Sequence, residues 1–226
     1  SWITANVGED ITAPMASLSA LIGVYHPGAG DTIHVAGGNY NLLKNIVLDA
    51  SASGLVIQGP TSGTPATLSR GNTGSSSYVF DLQGANNVTL DHLAITGGYN
   101  GVNLTGSSQV TISNDQIYSN SSQGIAGDAN STGVQVLGDS LYGVFNGSGY
   151  DQSYGVFLSG LSANVSGNTV YNNSSYGIYL SGNQSQVLGN TVTGNGSGGI
   201  TASGSGSPIA DQILVSGNTV SGNRGT

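Results

Sequence analysis

A six-residue pattern recurs along most of this chain and restricts the folds that it can adopt. The pattern, apolar-x-x-Asn/Asp-x-apolar, begins at residues 88, 112, 136, 165, 187 and 215. Its central polar residues are Asp91, Asp115, Asp139, Asn168, Asn190 and Asn218, at successive spacings of 24, 24, 29, 22 and 28 positions. A period of this length is typical of solenoids, because one repeat buries its apolar face only when neighbouring repeats stack on it.

Each repeat divides further into short strands. From the second copy of the pattern onward, a glycine followed by an apolar residue precedes it, at Gly101-Val102, Gly124-Ile125, Gly155-Val156, Gly177-Ile178 and Gly199-Ile200. Short apolar runs between Gly, Asn and Ser predict three strands per repeat, with turns between them. A helical solenoid is excluded, because helices need long stretches of 3.6-residue periodicity with few glycines, whereas this chain has 38 glycines.

The recurring Asn or Asp is predicted to be structural. A tight corner needs a residue that tolerates left-handed backbone geometry, and Asn and Asp do so better than most residues. In stacked repeats these side chains would form a ladder of hydrogen bonds between neighbouring turns. We therefore expect Asp91 and the five later members of the series to occupy such a ladder. A second series is expected to close the following corner in the same way, namely Asn120, Asn173, Asn195 and Asn223.

The charge balance excludes two classes of partner. Only 6% of the 226 residues are charged and the net charge is −8, with Lys44, Arg70 and Arg224 as the only lysine and arginine residues. The electrostatic attraction that dominates nucleic-acid binding is therefore missing. The sequence has no apolar run of 18 residues, so no membrane insertion is predicted. Its many Val, Ile and Thr residues and its clear period argue against disorder.

Several segments resemble a known family. Residues 30–40, GDTIHVAGGNY, together with the repeats, are similar to the right-handed parallel β-helix family that includes pectate-lyase-like and NosD-like repeat proteins. Residues 45–49, 57–60 and 88–93 are more similar to β-helix domains of very large bacterial surface or secreted proteins. The resemblance covers about residues 14–223 and implies an all-β fold, a single-stranded right-handed parallel β-helix (β-solenoid). It leaves function open, because this fold supports lyases, hydrolases, epimerases, adhesins and phage tailspikes.

In this family an N-terminal helix often covers one end of the stack. Leu18, Leu21, Ile22 and Tyr25 follow Pro14 at helical spacing, which predicts a capping helix over residues 14–25. We expect one β-helix domain over residues 1–226, with the cap region at 1–29 and stacked coils at 30–226. The sequence stops directly after a coil pattern. We therefore expect a fragment of a longer chain, or end-to-end association through the final coil.

No complete catalytic signature is present. Polygalacturonase-like members of the family use carboxylates with Gly-His-Gly and Arg-x-Lys segments, and neither segment occurs here. The alternative is a site formed by Arg70, Asp91 and His92, since Asp91-His92 is similar to the Asp-x-His segment of alginate epimerases. In the simpler interpretation, Arg70 is a solvated turn residue, Asp91 belongs to the ladder and His92 points outward. We therefore predict no catalytic residues, with this trio as the alternative.

No metal site or cofactor is predicted either. The chain has no cysteine, and its three histidines are too dispersed for a zinc site. The calcium-binding repeat Gly-Gly-x-Gly-x-Asp-x-apolar is absent, and Asp128, Asp139 and Asp151 are far apart in the sequence. A structural calcium ion is the minor alternative.

Aromatic residues are the strongest candidates for a binding surface. The residue after each pattern is predicted to point outward, which gives Ala94, Tyr118, Tyr142, Tyr171, Thr193 and Ser221. The outward series on the next strand is Asn103, Ala126, Phe157, Tyr179 and Thr201. A long insertion at residues 143–155 is expected to form a wall and carries Phe145, Tyr150, Asp151 and Tyr154. Rings about 4.8 Å apart could bind sugar faces, or could simply stabilise neighbouring strands.

The leading functional hypothesis is a non-catalytic structural or adhesion module of a bacterial extracellular or cell-surface protein. Its predicted partner is a polysaccharide or cell-surface glycan, bound by Tyr118, Tyr142, Tyr171, Phe157, Tyr179, Tyr150, Tyr154 and Asp151. The alternative is a carbohydrate-active enzyme, a polysaccharide lyase or epimerase acting on acidic polysaccharide. A negatively charged chain with three cations attracts such a substrate poorly. Ice binding by the aligned Thr169, Thr191 and Thr219 is a third hypothesis.

Overall fold

The chain forms a solenoid of parallel strands. The computed structural model describes residues 17–204 and 212–224. These residues contain 23 short strands, one α-helix (α1, Leu18–Tyr25) and one 3-10 turn (Ala50–Ala52). The strands form three sheets, and each coil adds one strand to each sheet in turn. The predicted all-β parallel β-helix with three strands per coil is confirmed.

The three sheets are named A, B and C in the order in which the chain visits them. Sheet A contains β1 Thr32–His34, β4 Val56–Gln58, β7 Thr89–Asp91, β10 Thr111–Ser113, β13 Gln135–Leu137, β16 Asn164–Ser166, β19 Gln186–Leu188 and β22 Leu214–Ser216. Sheet B contains β2 Gly38–Asn41, β5 Ala66–Ser69, β8 Leu93–Thr96, β11 Gln116–Tyr118, β14 Ser140–Tyr142, β17 Thr169–Tyr171, β20 Thr191–Thr193 and β23 Thr219–Ser221. Sheet C contains β3 Ile46–Asp49, β6 Tyr78–Gln83, β9 Asn100–Thr105, β12 Gln123–Gly127, β15 Tyr154–Leu158, β18 Tyr176–Leu180 and β21 Gly198–Ala202.

The apolar positions of the repeat form columns in the core. In most three-residue strands of sheets A and B only the middle side chain is buried, as period-2 alternation requires. Ile112, Val136 and Val165 are in register on adjacent strands of sheet A and have no solvent exposure. Sheet B has the equivalent column of Ile117 and Leu141. Stacking of like residues therefore makes one continuous core along the axis.

The glycine before each apolar residue of sheet C allows the coils to approach closely. A Cβ added to Gly124 would lie 2.6 Å from the Gly155 carbonyl oxygen, and one added to Gly155 would lie 2.7 Å from that of Gly177. Any larger residue would collide with the backbone of the next coil. This contact explains why the Gly-apolar dipeptide recurs once per coil.

The A–B corner contains the first ladder, but its backbone differs from the prediction. The left-handed residue is the one before the ladder residue, for example Asn114 (φ 56°) and Gly138 (φ 71°). The ladder residue itself is buried and accepts a hydrogen bond from the coil before it. The Asp139 carboxylate accepts from the Asp115 amide at 2.7 Å, and the Asn168 side chain accepts from the Asp139 amide at 2.8 Å.

Asp91 does not belong to this ladder, so its predicted role is wrong. Register pairs Asp91 with Ser113, and Leu93 occupies the ladder position, where its amide donates to the Asp115 carboxylate at 2.6 Å. The core residue of β7 is Leu90, which lies two positions beyond Val88, where the sequence pattern began. The same two-residue shift places Thr96, and not Ala94, beside Tyr118.

The B–C corner contains the second ladder, which has a member that the sequence analysis missed. In the coil that has no Asn at the ladder position, Gln152 takes this position, and it has no solvent exposure. Its Oε1 accepts from the Asn120 amide at 3.3 Å, and its Nε2 donates to Asn173 Oδ1 at 3.0 Å. Asn195 and Asn223 continue the series. The longer glutamine side chain keeps the ladder continuous past the insertion.

The two ends of the described solenoid differ. Helix α1 begins at Leu18 and buries Leu18 and Leu21 against the core, so the cap lies where it was predicted, while Pro14 and the rest of residues 1–16 lie outside the described residues. In the last described coil Leu214, Val215 and Val220 are about half exposed. None of the helices in the described ranges is long and apolar enough to cross a membrane.

Candidate functional site

Three tyrosines form a continuous stack on sheet B, here called the tyrosine column. Tyr118, Tyr142 and Tyr171 are in register on β11, β14 and β17, as predicted. Their ring centroids are 5.1 and 4.8 Å apart, and the ring planes differ by 6° and 8°. Burial raises the pKa of Tyr142, and the neighbouring Tyr171 and Tyr118 add to this effect. Both faces of the Tyr142 ring are covered by its neighbours, so no sugar ring can stack on it.

Four rings on sheet C form a second group, here called the aromatic cluster, which consists of Tyr154, Phe157, Tyr176 and Tyr179. Phe157 and Tyr179 stack with centroids 5.0 Å apart and planes 4° apart. Tyr154 and Tyr176 are 5.8 Å apart and nearly parallel to each other, but the Tyr154 ring is at 82° to Phe157. The cluster is thus two pairs in edge-to-face contact, all half-buried. It is not one continuous stack, and it leaves partly exposed rings in two orientations.

Tyr176 was missing from the predicted binding residues. It precedes Gly177, and the predicted outward series on this strand included only the residue after the Gly-apolar dipeptide, Tyr179. The available signal was a repeated tripeptide, because Ser-Tyr-Gly occurs at residues 153–155 and again at 175–177. Tyr154 and Tyr176 therefore open consecutive strands of sheet C at equivalent places.

A polar cluster lies on the same outward face of sheet C, on the strands two and three coils before the first rings. It consists of Asp81, Gln83, Asn100 and Asn103. Gln83 Nε2 and Asn103 Nδ2 donate to the two Asp81 carboxylate oxygens at 2.9 and 3.1 Å, and Asn100 Nδ2 donates to Asn103 Oδ1 at 3.2 Å. Asp81, Asn103, Ala126, Phe157 and Tyr179 form one outward column in strict register. Polar and aromatic groups therefore follow one line along the solenoid.

The 143–155 insertion forms a small hairpin at the B–C corner. Phe145 and Tyr150 make an isolated antiparallel bridge, with their rings in edge contact at 5.9 Å. The Val144 amide donates to Asp151 Oδ1 at 2.7 Å, so this carboxylate closes the hairpin. Phe145 is 63% exposed. The hairpin leads directly into β15, whose first residue is Tyr154 of the aromatic cluster.

The trio considered for catalysis is divided between two corners. Arg70 follows β5 at the B–C corner, where its Nε donates to Asn45 Oδ1 at 3.1 Å and its guanidinium to the Leu42 carbonyl at 3.4 Å. Asp91 and His92 lie at the A–B corner, with His92 Nδ1 2.8 Å from Asp91 Oδ2. His92 has a left-handed backbone, φ 55°, so it is a corner residue. Sheet B separates Arg70 from the other two.

Asp91 is held ionised by its surroundings. Burial raises its pKa, but hydrogen bonds from Gln58, Asn114, His92 and Ser113 outweigh burial and lower the pKa to about 2. His92 also lines a cavity of about 210 Å³ together with the 60–65 loop. An imidazole oriented by a carboxylate at a cavity can act as a general acid or base.

Two carboxyl groups of the first ladder are buried side by side. Asp115 and Asp139 are each 1% exposed, and the Oδ2 atom of each has no hydrogen-bond partner. Burial raises the pKa of both well above the ordinary value, and the Asp115 charge raises that of Asp139 further. Neutral carboxylic acids in these positions resemble the amides that fill the later rungs of the ladder.

Within residues 17–204 and 212–224, no group of three or more His, Cys, Asp or Glu side chains could hold a metal ion.

The sequence and the fold place this chain in a known family. A family model described as the right-handed β-helix region matches residues 31–224, so the chain belongs to that family. No curated protein sequence matches the chain.

Three solved structures share the fold. A pectate lyase aligns with a TM-score of 0.68 at 19% identity, over 85% of this chain and 52% of the lyase. The catalytic unit of an α-1,3-glucanase from Streptomyces thermodiastaticus gives 0.60 at 16%, over 85% and 41%. The A-module of a mannuronan C-5 epimerase from Azotobacter vinelandii gives 0.53 at 17%, over 86% and 55%. This chain thus spans about half the length of each, and the likeness is one of fold.

Proposed function

We propose that this chain is a non-catalytic, polysaccharide-binding β-helix module of an extracellular or cell-surface protein. The observation that carries the proposal is the outer face of sheet C, where the polar cluster and the aromatic cluster follow one column. Sugar rings offer apolar faces to aromatic side chains and hydroxyl groups to amides and carboxylates. The fold neighbours, named for pectate, α-1,3-glucan and mannuronan, support a carbohydrate ligand.

The length of this face suits a polymer. Asp81 and Phe157 are three strand spacings apart, or about 14 Å, and Tyr179 extends the column by one more spacing, to about 19 Å. A polysaccharide chain lying along the axis would meet hydrogen-bonding groups first and rings next. The hairpin that contains Tyr150 and Asp151 would border the polysaccharide on the side of the B–C corner.

The proposal assigns a different role to the tyrosine column. Tyr118, Tyr142 and Tyr171 cover one another and present ring edges and hydroxyl groups, which favours strand stabilisation over sugar stacking. The aromatic cluster has half-buried rings in two orientations and so keeps apolar surface for a ligand. Binding is therefore assigned to Tyr154, Phe157, Tyr176 and Tyr179, and the column serves as a stability control.

The separation of acid and base groups supports a non-catalytic role. On the proposed binding face, both oxygens of Asp81 accept hydrogen bonds from amides. Arg70 is held by Asn45 and Leu42, one corner away from the Asp91–His92 pair. An acid–base reaction on a bound sugar needs an acid and a base that both lie within hydrogen-bond reach of the reacting atoms of that sugar.

Affinity electrophoresis against a polysaccharide panel tests the proposal. Tyr154→Ala/Tyr176→Ala removes two rings, each contributing about 0.5–1.5 kcal/mol, and should weaken binding by about tenfold or more. Tyr142→Ala is the matched control and should bind like the wild type while unfolding at a lower temperature. Equal loss in both variants, or retardation by no polysaccharide, would overturn the proposal.

A second candidate function is an acid–base reaction on carbohydrate at the A–B corner. The Asp91–His92 contact of 2.8 Å beside the 210 Å³ cavity favours it. His92→Ala would abolish such an activity, which an ultraviolet assay for unsaturated products and a reducing-sugar assay would detect. Identical product formation by the wild type and His92→Ala, or none by either, would exclude this candidate.

A further inference from the structure

We infer that the proposed binding face on sheet C takes uncharged polysaccharides and discriminates against polyuronates. This inference rests on the proposed function and adds the class of ligand. It follows from the position of the few charged groups relative to the aromatic cluster and from the hydrogen bonds of the polar cluster.

The charges nearest to the rings are negative. Asp151 closes the hairpin three residues before Tyr154, and Asp128 directly follows β12, the strand beside β15. Asp81 lies in the polar cluster itself, about 14 Å from Phe157 along the same outward column, and is only 7% exposed. Its charge acts on a sugar bound at the polar cluster, because a buried charge is screened by salt less than an exposed one.

The cations of the described residues lie away from the rings. Arg70 binds Asn45, which also accepts from the Tyr78 amide, so the guanidinium lies at the level of β6, about 14 Å along the axis from β15. Lys44 precedes β3, one spacing further away. Arg224 is exposed in the last described coil, about 10 Å beyond the corner that precedes Tyr176. These distances exceed the Debye length of about 8 Å at physiological ionic strength.

A uronate on the aromatic cluster would therefore lose water around its carboxylate without gaining a cation. Removing a charged group from water is costly unless an opposite charge or several hydrogen-bond donors replace the water. The ring side chains offer at most phenol hydroxyl groups. A carboxylate on every sugar would repeat this cost along the chain, whereas an uncharged sugar carries no such penalty.

The polar cluster also suits hydroxyl groups better than carboxylates. Both Asp81 oxygens already accept amide hydrogens, and each retains capacity to accept from a sugar hydroxyl group. A uronate carboxylate has only acceptors and would face the acceptor oxygens of Asp81. Hydroxyl groups can donate to Asp81 and accept from amides, so an uncharged sugar satisfies both partners.

Affinity electrophoresis with matched neutral and uronate polymers tests this inference. The neutral probes are pullulan, laminarin and galactomannan, and the uronate probes are polygalacturonate and alginate. At low and at high salt, at least one neutral polymer should retard the protein strongly, and both uronates should retard it only weakly. Preference for a uronate, lost in Tyr154→Ala/Tyr176→Ala, would overturn the inference and leave the proposed function standing. No retardation by any polymer would overturn both.

Two charge variants distinguish the effect of the Asp81 charge on polymer preference from the effect of the net charge of the protein. Asp81→Asn and Asp31→Asn change the net charge equally, but Asp31 directly precedes β1 of sheet A and belongs to neither cluster. Asp81→Asn should raise the ratio of uronate to neutral affinity by about threefold at low salt, with little change at high salt. Asp31→Asn should leave the ratio at the wild-type value. Equal shifts in both variants would show that only net charge acts and would contradict the inference.

Discussion

The tyrosine column and the aromatic cluster differ in ring geometry and in proposed function, although both arise from the same repeat. Each places rings on adjacent parallel strands at about one strand spacing. In the column the rings cover each other, with planes 6° and 8° apart, whereas the cluster adds a second pair at 82° to the first. The difference comes from strand length, because β15 and β18 have five residues and carry two outward rings each, while β14 has three and carries one. Continuous stacking thus covers the ring faces, whereas a second ring orientation leaves part of the ring surface exposed.

The largest expected effect that separates the two groups is on stability. Tyr142→Ala removes two stacked pairs and their partial burial, which should lower the free energy of unfolding by about 2–3 kcal/mol. For a chain of this size, this corresponds to a melting temperature lower by about 5–10 °C. Differential scanning calorimetry measures it, with Tyr118→Ala as the comparison, since Tyr118 stacks on one ring only. A larger loss from Tyr118→Ala would contradict the stacking account.

The ladder beneath the column gives the next effect, a dependence on pH. Asp115 and Asp139 directly precede β11 and β14, which carry Tyr118 and Tyr142. Because burial raises the pKa of Asp139 above the ordinary 3.8, its neutral form stabilises the fold below that value. This contribution is lost as the pH rises through the raised pKa. The cluster strands β15 and β18 contain no such group, so the column should loosen before the cluster as the pH rises.

Asp139→Asn should remove part of this dependence. Asn168 donates to the Val136 carbonyl and to Asn190 Oδ1, both at 2.9 Å, and an amide at position 139 could do the same one coil earlier. We expect about 1–2 kcal/mol of added stability at pH 8 and little at pH 4. Asp128→Asn is the control, and its effect on stability should depend on pH in the opposite direction. The reason is that hydrogen bonds outweigh burial and lower the pKa of Asp128. Melting temperatures across pH for both variants check this, and a gain from Asp139→Asn that is equal at pH 4 and pH 8 would contradict it.

The smallest effect concerns the position of one ring in the cluster. A Cβ at Gly198 would lie 2.8 Å from Cδ1 and Cε1 of Tyr176, so Gly198→Ala should push that ring aside. We expect about threefold weaker polysaccharide binding and a small change in stability. Gly23→Ala is the control, because nothing lies within 4 Å of its added Cβ. Isothermal titration calorimetry measures both variants, and unchanged binding in Gly198→Ala would remove Tyr176 from the site.

The periodicity predicted the fold, because the inward apolar column and the Gly-apolar dipeptide have direct physical causes. It also predicted the rings of the column and two members of the cluster. It did not predict the register at residue 91, since Val88 and Leu90 both satisfy an apolar position and only strand pairing distinguishes them. Gln152 was missed because an insertion shifted the spacing and a longer side chain took the place of Asn. Edge-to-face packing depends on two strands and a corner, and no local pattern specifies it.

The replacement of Asn by Gln152 in the second ladder has a consequence for how such solenoids change. The B–C corner contains a hairpin, yet the amide series between Asn120 and Asn173 is not interrupted. One longer side chain compensates for the altered path of the main chain. The corner is therefore a site where loops of different length and composition can be exchanged, beside the rings, while the scaffold stays the same. Such an exchange, in evolution or in the laboratory, requires only that one amide still completes the rung.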